Sequence, residues 1–400
     1  MTETGTGRGG RLSSLEVRSR LLQIVYFLSY GSAGAWMPFL ALYLQESGLT
    51  GAQIGAVMAL RPAAAILTQP LWGIVSDVWG RRRALLWGLM LSGLVVLGFG
   101  WSASFWFLLV WSCLFAIIFN ATSPLTDSLT LDHLDAVPGL TYGYFRIWGS
   151  LGWSVVALGS GYVIAGRDMR LVFLISAILL FLSWCAVPRG PLGDRKGIST
   201  RAAWRGIGRV LGNRRLLLFL LLVMLLEVGL APLFSFFPLY MDELGASRSL
   251  IGLASVPLGL VELPFFFWAA AIVKRWGHTK TIAITFMFIA ARAFLFSVIR
   301  DPVLAAVAQV LHAPFSLFVL ASVDFVNLEV PQEWRATGQT LLSAIGVSAG
   351  GILGNAIAGF LYDSVGTQLM FRVSGFLMVG AAVAMMVLLK ERPAAVQEPA

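Results

Sequence analysis

Several ionisable side chains stand alone inside long apolar stretches of this sequence. Arg61, directly before Pro62, is assigned a structural or gating part, and six others could do chemistry. They are Asp127, Arg146, Glu227, Glu262, Arg292 and His312. A charge at the centre of a lipid bilayer costs about 2.5 kcal/mol or more, so each needs a partner or a water-filled cavity. Acids and bases placed in this way can bind a polar solute and can carry protons. We therefore take these six side chains as candidate site residues.

Asp127 and Arg146 are predicted to lie at the same depth. They stand equally far from the short polar segment around residues 136–137, which joins two apolar stretches. In an antiparallel helix pair with a rise of 1.5 Å per residue, they come level. The pair can open to a substrate, because Arg forks to carboxylates or hydroxyls and Asp accepts from hydroxyls. The alternative is a permanent bridge that sets the helix registry.

Arg292 and His312 are matched in the same way about the break near Asp301. A substrate carboxylate would then meet Arg146 and Arg292 in different halves of the chain, so that binding draws the halves together. For His312 the alternative is a neutral core histidine bonded to a backbone or hydroxyl group. Trp153 lies two turns after Arg146, on the same helix face. The predicted substrate site comprises Asp127, Arg146, Trp153, Arg292 and His312.

Proton coupling is assigned to three acids, Glu262, Glu227 and Asp127. A buried carboxyl group can take up and release a proton as its surroundings change. The alternative is an acid that only neutralises a structural Arg. The sequence has no nucleotide-binding loop, no metal-ligand cluster and no clustered catalytic groups, so we predict no catalytic residue, metal or cofactor, and a proton gradient as the energy source.

The composition places these residues in a membrane protein. Of 400 residues 58% are apolar and 12% are charged, and the mean hydropathy is +0.81. These values exclude a soluble domain, a disordered chain and a coiled coil. The net charge of +9 is typical of cytoplasmic loops rather than of a nucleic-acid-binding protein. The expected partners are the lipid bilayer, protons and a small-molecule substrate.

Twelve apolar stretches are long enough to cross a bilayer as helices. Their predicted spans are 21–45, 51–75, 84–102, 105–130, 142–165, 171–187, 215–241, 249–273, 281–299, 302–326, 336–362 and 369–390. The alternation expected of a membrane β-barrel is absent. The predicted fold class is an all-α polytopic membrane protein with two six-helix bundles.

The distribution of cations predicts the domains and the orientation. A cytoplasmic tail (1–20) and a six-helix bundle (21–187) precede a basic cytoplasmic linker (188–214), a second bundle (215–390) and a cytoplasmic tail (391–400). With both termini cytoplasmic, 21 Lys and Arg lie on the cytoplasmic side, four in outer loops and four inside helices. The positive-inside rule favours this topology, in a cell (inner) membrane.

The loop between the second and third predicted helices, GIVSDVWGRRR at residues 73–83, resembles the signature loop of the major facilitator superfamily, G-x-x-x-D-x-x-G-R-R. The resemblance implies a cytoplasmic gate formed by Gly73, Asp77, Gly80, Arg81 and Arg82. Glycine permits tight turns, and an acid can pair with a cation or a helix N-terminus. The alternative is a positive-inside loop and nothing more.

Further motifs resemble the phenylpropionate permease family, which is close to lactose permease. They are 27–31 (FLSYG), 70–73 (PLWG), 124–127 (PLTD), 142–150 (YGYFRIWGS) and 310–312 (VLH). Three positions in the first half resemble the helix-4 acid, the helix-5 arginine and the sugar-stacking tryptophan of lactose permease: Asp127, Arg146 and Trp153. Three in the second half resemble its helix-8 acid, helix-9 arginine and helix-10 histidine: Glu262, Arg292 and His312. Gln309 and Phe315 stand where that permease has a lysine and a proton-carrying glutamate. Glu227 is the candidate replacement.

The predicted function is secondary active transport of a small organic solute by alternating access, through proton-coupled uptake of an aromatic or other monocarboxylate. Asp127, Glu262 and Trp153 also fit a proton-coupled sugar or nucleoside symporter. Further alternatives are a proton antiporter that exports a small molecule and a non-transporting membrane scaffold. An enzyme is not favoured, because the three histidines are scattered along the sequence. The protein is expected to act as a monomer.

Overall fold

The computed structural model describes residues 6–137, 139–189 and 212–390, and these ranges are helical with short connections. The predicted tail at 391–400 and most of the predicted linker at 188–214 lie outside the described residues. The first helix begins at Thr6, earlier than the apolar pattern predicts, so described residues of the predicted N-terminal tail continue the first membrane helix.

The described chain forms twelve membrane-crossing segments, as the hydropathy pattern predicts. They are α1 (6–46), α2 (Gly51–Trp79), α3 (Arg81–Gly100), α4 (Phe105–Leu134), α5 (Tyr142–Val163), α6 (Leu171–Ala186), α7 (214–243), α8 (248–276), α9 (His278–Val298), α10 (Pro302–Glu329), α11 (332–365) and α12 (367–388). Nine described stretches meet a length and hydropathy criterion for a membrane span, and one of them, Gln332–Leu388, contains both α11 and α12. Gly366, with φ of 80°, separates the two. The other two segments are α5 and the shorter α6.

Local sequence explains where several helices begin. Thr50 caps α2, and its hydroxyl and the Gln53 side chain form a capping box. Asn213 caps α7, Ser247 caps α8 and Asp301 caps α10, each through a side-chain oxygen that accepts from backbone N–H groups.

The positive-φ glycines repeat between the two halves of the chain. Gly80 (φ 83°) alone joins α2 to α3, and Gly277 (φ 84°) alone joins α8 to α9. Gly48 and Gly245 end α1 and α7 in the same way, with φ of 84° and 78°. The number of residues from Gly48 to Gly80 equals the number from Gly245 to Gly277. Each half therefore repeats the same helix–turn pattern, as expected of parallel repeats in transporters.

Two six-helix bundles result. In the first, α1 packs on α5 and α6, and α2 packs on α4; in the second, α7 packs on α11 and α12, and α9 packs on α12. The largest contacts between the bundles are those of α2 with α11 and of α5 with α8, and the last turns of α1 also contact those of α7.

The two ends of the molecule differ in how closely the bundles approach. We call the end with loops 47–50, 164–170 and 244–247 the closed end, and the end with Gly80 and Gly277 the open end. The first turns of α2 lie directly against α11: a Cβ on Gly55 would clash with the carbonyl oxygen of Asn355, whereas a Cβ on Gly73, towards the other end of α2, would meet nothing within 4 Å. The contact between the bundles therefore weakens from the closed end towards the open end.

Candidate functional site

Asp127 is held by two tyrosine hydroxyls. Tyr26 of α1 donates a hydrogen bond of 2.6 Å to its carboxylate and Tyr142 of α5 donates one of 3.0 Å. Asp127 lies on α4, and its carboxylate is within electrostatic range of Arg146. No direct ion pair between Asp127 and Arg146 is present among the described residues. Tyrosine side chains therefore surround both the acid and the base.

Arg146 stacks its guanidinium on an aromatic ring. Its Cζ lies 4.2 Å from the ring centroid of Tyr30, a distance suited to a cation–π interaction. Tyr30 is one turn after Tyr26 on α1, and its hydroxyl is 2.6 Å from that of Ser123. The first bundle therefore presents one polar wall, in which tyrosines separate an acid from a base.

Breaks in two helices of the second bundle place Glu262 and His312. The α-helical pattern of α8 is interrupted before Pro257 and again at Glu262, and α10 passes through a 3₁₀ turn that ends at His312. His312 Nε2 and Glu262 Oε1 are 2.8 Å apart, and His312 is 1% exposed. Interrupted membrane helices commonly carry the binding residues of transporters, because their freed polar groups face a cavity.

Arg292 is completely buried. Its Nη1 donates to Gln309 Oε1 at 3.0 Å, and its Cζ is 5.9 Å from the ring centroid of Phe234. The ring of His312 is 5.2 Å from that same Phe234 ring, in keeping with the matched depth. Nε and Nη2 of Arg292 have no hydrogen-bond partner among the described residues. In this state the hydrogen-bond partner of Arg292 is therefore Gln309 and not His312 or Glu262.

Glu262 links the two bundles electrostatically. Its carboxylate interacts with Arg146 of the first bundle and with Arg292 of the second. The sequence assigns that position, between two arginines of opposite bundles, to a substrate carboxylate. In the structure an acid of the chain itself lies within electrostatic range of both arginines.

Trp153 bonds to the opposite bundle. Its indole N–H donates to the backbone carbonyl of Ser255 at 3.2 Å, and the neighbouring Ser154 hydroxyl donates to the carbonyl of Val256 at 3.3 Å. The Ser255 carbonyl is accessible because the N–H of Gly259, its helical donor, bonds to Val256 instead. Trp153 thus lies at the junction of α5 with the break in α8.

Glu227 stands apart from these groups. It is 9% exposed on α7 and packs its Cβ against Gly350 of α11. It has no hydrogen-bond or ion-pair partner among the described residues, and none of their charged groups lies within electrostatic range of its carboxyl group. The structure does not bring it into contact with Glu262 or Arg292.

The gate motif lies at the open end. Arg81 forms an ion pair with Asp132 of α4, and Arg82 donates to the carbonyl of Pro188 at 2.7 Å. Asp77 is exposed and has no ion-pair partner in the described part of the chain. A Cβ added at Gly73 would meet nothing within 4 Å, so this glycine makes no close helix approach here.

Comparison with known proteins identifies the family. A model of the MFS_1 like family matches residues 20–373. The chain belongs to this family. It is therefore a secondary transporter of the major facilitator superfamily, a multi-pass membrane protein whose family moves small-molecule solutes rather than catalysing reactions.

Relatives in and around the MFS_1 like family span nearly the whole chain. The maltose permease of Geobacillus stearothermophilus is 29% identical over 387 residues, which cover 94% of this chain and 96% of that protein. An Escherichia coli (strain K12) protein named "Probable 3-phenylpropionic acid transporter" is 27% identical over 362 residues, covering 87% and 92%. The crystal structure of a mutant nucleoside transporter, NupG, superposes with a TM-score of 0.84 at 20% identity, covering 93% of this chain and 100% of that one. The last likeness shows the fold alone.

Sequence reasoning did not assign a role to Tyr26 or Tyr142, which hold Asp127. Their spacing offers a signal, because Tyr26 precedes Tyr30 by one turn and Tyr142 precedes Arg146 by one turn. It identified Gln309 only as a departure from lactose permease, whereas Gln309 is the hydrogen-bond partner of Arg292.

Proposed function

We propose that this protein couples proton entry to the uptake of a small aromatic or other monocarboxylate by alternating access. The observation that carries the proposal is the position of Glu262, which touches His312 and interacts with Arg146 and Arg292. In this proposal both termini are cytoplasmic, so that the open end faces the cytoplasm of a cell whose inner membrane holds the protein.

Glu262 and a substrate carboxylate would compete for the same cations. While Glu262 is ionised, the charges of Glu262 and Asp127 together match those of Arg146 and Arg292. When Glu262 takes a proton, one positive charge of this set is left unmatched beside the cavity, which favours binding of an external carboxylate. Proton binding therefore raises the affinity for the substrate, and substrate binding raises the affinity for the proton by the same factor.

The same arrangement explains why partial loading would stall the cycle. A carrier that holds both a proton and a carboxylate keeps the charge balance of the empty, ionised state. A carrier that holds only one of the two differs from that state by one unit of charge, and moving that extra charge through the apolar part of the protein is costly. His312, directly bonded to Glu262, is assigned the role of positioning this carboxyl group.

Asp127 and Trp153 are assigned to the organic part of the solute. Asp127 accepts two hydroxyl hydrogen bonds from tyrosines, so a substrate hydroxyl can replace either donor without leaving the carboxylate unsatisfied. Trp153 offers its ring at the junction of the bundles. Glu227 has no charged neighbour, and we assign it a secondary part in proton coupling.

A neutral sugar or nucleoside is the second candidate substrate. The hydroxyl-rich surroundings of Asp127 favour it, since they suit an acid that exchanges hydroxyl partners. The 29% identity to a maltose permease supports the same candidate. In that case Arg146 and Glu262 would balance each other's charges throughout the cycle.

Transport by the purified protein in liposomes tests the proposal. With an imposed inward proton gradient, we expect accumulation of 3-phenylpropionate and not of maltose or xanthosine. Glu262→Gln should abolish accumulation yet keep exchange of labelled for unlabelled substrate, because a permanently neutral side chain mimics the protonated state. Asp324→Asn, an exposed acid of α10 outside the site, is the matched control and should accumulate normally.

Two results would count against the proposal. Full accumulation by Glu262→Gln would remove Glu262 from proton coupling. Accumulation of a sugar or nucleoside, with no response to carboxylates, would replace the monocarboxylate with the second candidate.

A further inference from the structure

Arg61 is a cation between the two bundles for which the sequence suggests only a structural or gating part. It lies inside α2, directly before Pro62 and more than two turns from either end of the helix, and its side chain is exposed. Pro62 lies against Gly351 of α11, which places Arg61 beside the junction of the bundles.

The guanidinium of Arg61 lacks a matching acid. Its Nη1 is 3.5 Å from the sulfur of Met37, a weak acceptor. No carboxylate of the described residues forms an ion pair with it. Arg146 and Arg292 differ, because both interact with Glu262. An unpaired guanidinium at this depth needs water or an anion to balance its charge.

Arg61 and Arg146 approach the same tyrosine. Tyr30 interacts electrostatically with both guanidinium groups, and Arg146 stacks on its ring. Asn120 of α4 donates its amide N–H to the backbone carbonyl of Arg61 at 3.0 Å, which fixes this turn of α2 against the first bundle. The two arginines therefore form a cationic wall around Tyr30, and only Arg146 has a counter-charge.

We propose that Arg61 is the primary carboxylate-binding residue of the substrate site, where it receives a monocarboxylate before Glu262 is protonated. The inference rests on the proposed function, which it extends by naming the group that selects an anion. After Glu262 takes a proton, Arg146 becomes available on the other side of Tyr30 and the carboxylate bridges the two arginines. A neutral analogue of the same shape leaves Arg61 unpaired and binds more weakly.

Calorimetric titration of the full-length purified protein tests this assignment, with 3-phenylpropionate and 3-phenylpropionamide as probes. The amide keeps the shape and loses the charge. Arg61→Gln should weaken 3-phenylpropionate binding by about tenfold to a hundredfold, the range for losing hydrogen bonds between charged groups, and should leave amide binding unchanged. Arg372→Gln, another arginine within a membrane helix whose partner is the Ser297 hydroxyl, is the matched control and should bind both probes as the wild type does.

Arg61→Lys covers the case in which Arg61→Gln does not fold. It keeps the charge and loses the planar fork, so 3-phenylpropionate should bind several-fold more weakly than to the wild type. If Arg61→Gln binds 3-phenylpropionate as tightly as the wild type does, the assignment of Arg61 is wrong, and the proposed function is unaffected. The same holds for Arg61→Lys if only that variant folds. Binding of maltose or xanthosine by the wild type, without binding of 3-phenylpropionate, overturns the proposed substrate class and the subsite together.

Discussion

The closed and open ends of this transporter use their interactions for different tasks. At the closed end, contacts run between the bundles: Asp363 of α11 accepts hydrogen bonds from the N–H groups of Gly51 and Ala52 on α2, at 2.7 and 2.8 Å. At the open end, Arg81 pairs with Asp132 inside the first bundle, and Arg215 pairs with Glu329 inside the second.

This difference indicates how the molecule can change state. Interactions within a bundle keep its helices together as a unit, whereas interactions between bundles must break and reform. A movement that separates the closed end would leave the Arg81 and Arg215 pairs intact. The two bundles can therefore rock as rigid bodies about the site between them, as alternating access requires.

The largest expected effect comes from breaking backbone contact at the closed end. A Cβ on Gly161 of α5 would lie 2.6 Å from the carbonyl oxygen of Arg248 on α8, whereas a Cβ on Gly159 would meet nothing within 4 Å. Gly161→Val should force the closed end apart and cut transport by about tenfold or more, given an overpacking cost of about 1–3 kcal/mol. Transport measures the second effect, and the first is measured by the thiol reactivity of Ala246→Cys, a buried loop position, in a protein whose free Cys113 and Cys185 are replaced by serine.

Gly159→Val is the matched control for this substitution, two residues away on the same helix. It should transport normally and leave the cysteine at 246 unreactive. Equal behaviour of the two valine variants would show that the α5–α8 contact does not hold the closed end.

A smaller effect is expected from Asp77 at the open end. It is exposed and has no ion-pair partner among the described residues, so Asp77→Asn should change the free energy of unfolding in this state by no more than about 0.5 kcal/mol. If Asp77 pairs only when the open end closes, transport should still fall by about tenfold, since a hydrogen bond to a charged group contributes about 1.5–3 kcal/mol. Thermal unfolding and transport separate these effects.

Asp132→Asn provides the contrast, because Asp132 is paired with Arg81 in the present state. It should lower the unfolding temperature where Asp77→Asn does not. A loss of stability in Asp77→Asn as large as in Asp132→Asn would contradict the idea that Asp77 acts in the other state.

A moderate effect is expected from removing the side chain of Asp363, which belongs to α11 and caps the first turn of α2. Asp363→Ala removes an acceptor for two backbone N–H groups, and losing a helix cap costs about 1 kcal/mol. The equilibrium should move about fivefold away from the closed-end contact, which the reactivity of Ala246→Cys would report. Asp168→Ala is the control: Asp168 accepts from the N–H of Arg170 within its own loop, and its loss should not raise that reactivity.

The smallest effect is expected from the ion pair between Arg248 and Glu46, which also joins the bundles. The two side chains are 28% and 49% exposed, and exposed pairs contribute about 0–1 kcal/mol. Arg248→Gln should therefore shift the accessibility of the closed end by less than Asp363→Ala does, and the shift should shrink at high salt. A shift larger than that of Asp363→Ala would rank the ion pair above the cap.

The twelve helices could be predicted from the sequence because hydropathy over a bilayer thickness is a local property. The prediction that Asp127 and Arg146 lie level rests on helix rise alone. Their lack of a direct ion pair could not be predicted, because Tyr26 reaches Asp127 from a helix 101 residues away. Which polar group satisfies a buried acid depends on packing between distant helices, and one sequence does not carry that information.

The same limit applies to the second half of the site. Proline at 257, 264 and 314 signals interrupted helices, but the pairing of Glu262 with His312 depends on how α8 and α10 pack. Burial of Arg292 behind Gln309 likewise depends on the neighbouring helices. The part played by Asp363 had no sequence signal, because its partners are backbone groups.

That choice of partners has a genetic consequence. The N–H groups of residues 51 and 52 remain whatever side chains those positions carry, and only proline removes one. Mutation can therefore abolish the hydrogen bonds from the α11 side by changing one codon, that of Asp363, while the α2 side tolerates change at Ala52, an exposed position. Gly51 is the exception on the α2 side, because a Cβ there would lie 2.6 Å from the carboxylate of Asp363. Heritable tuning of the transport cycle through this contact would therefore concentrate at positions 51 and 363.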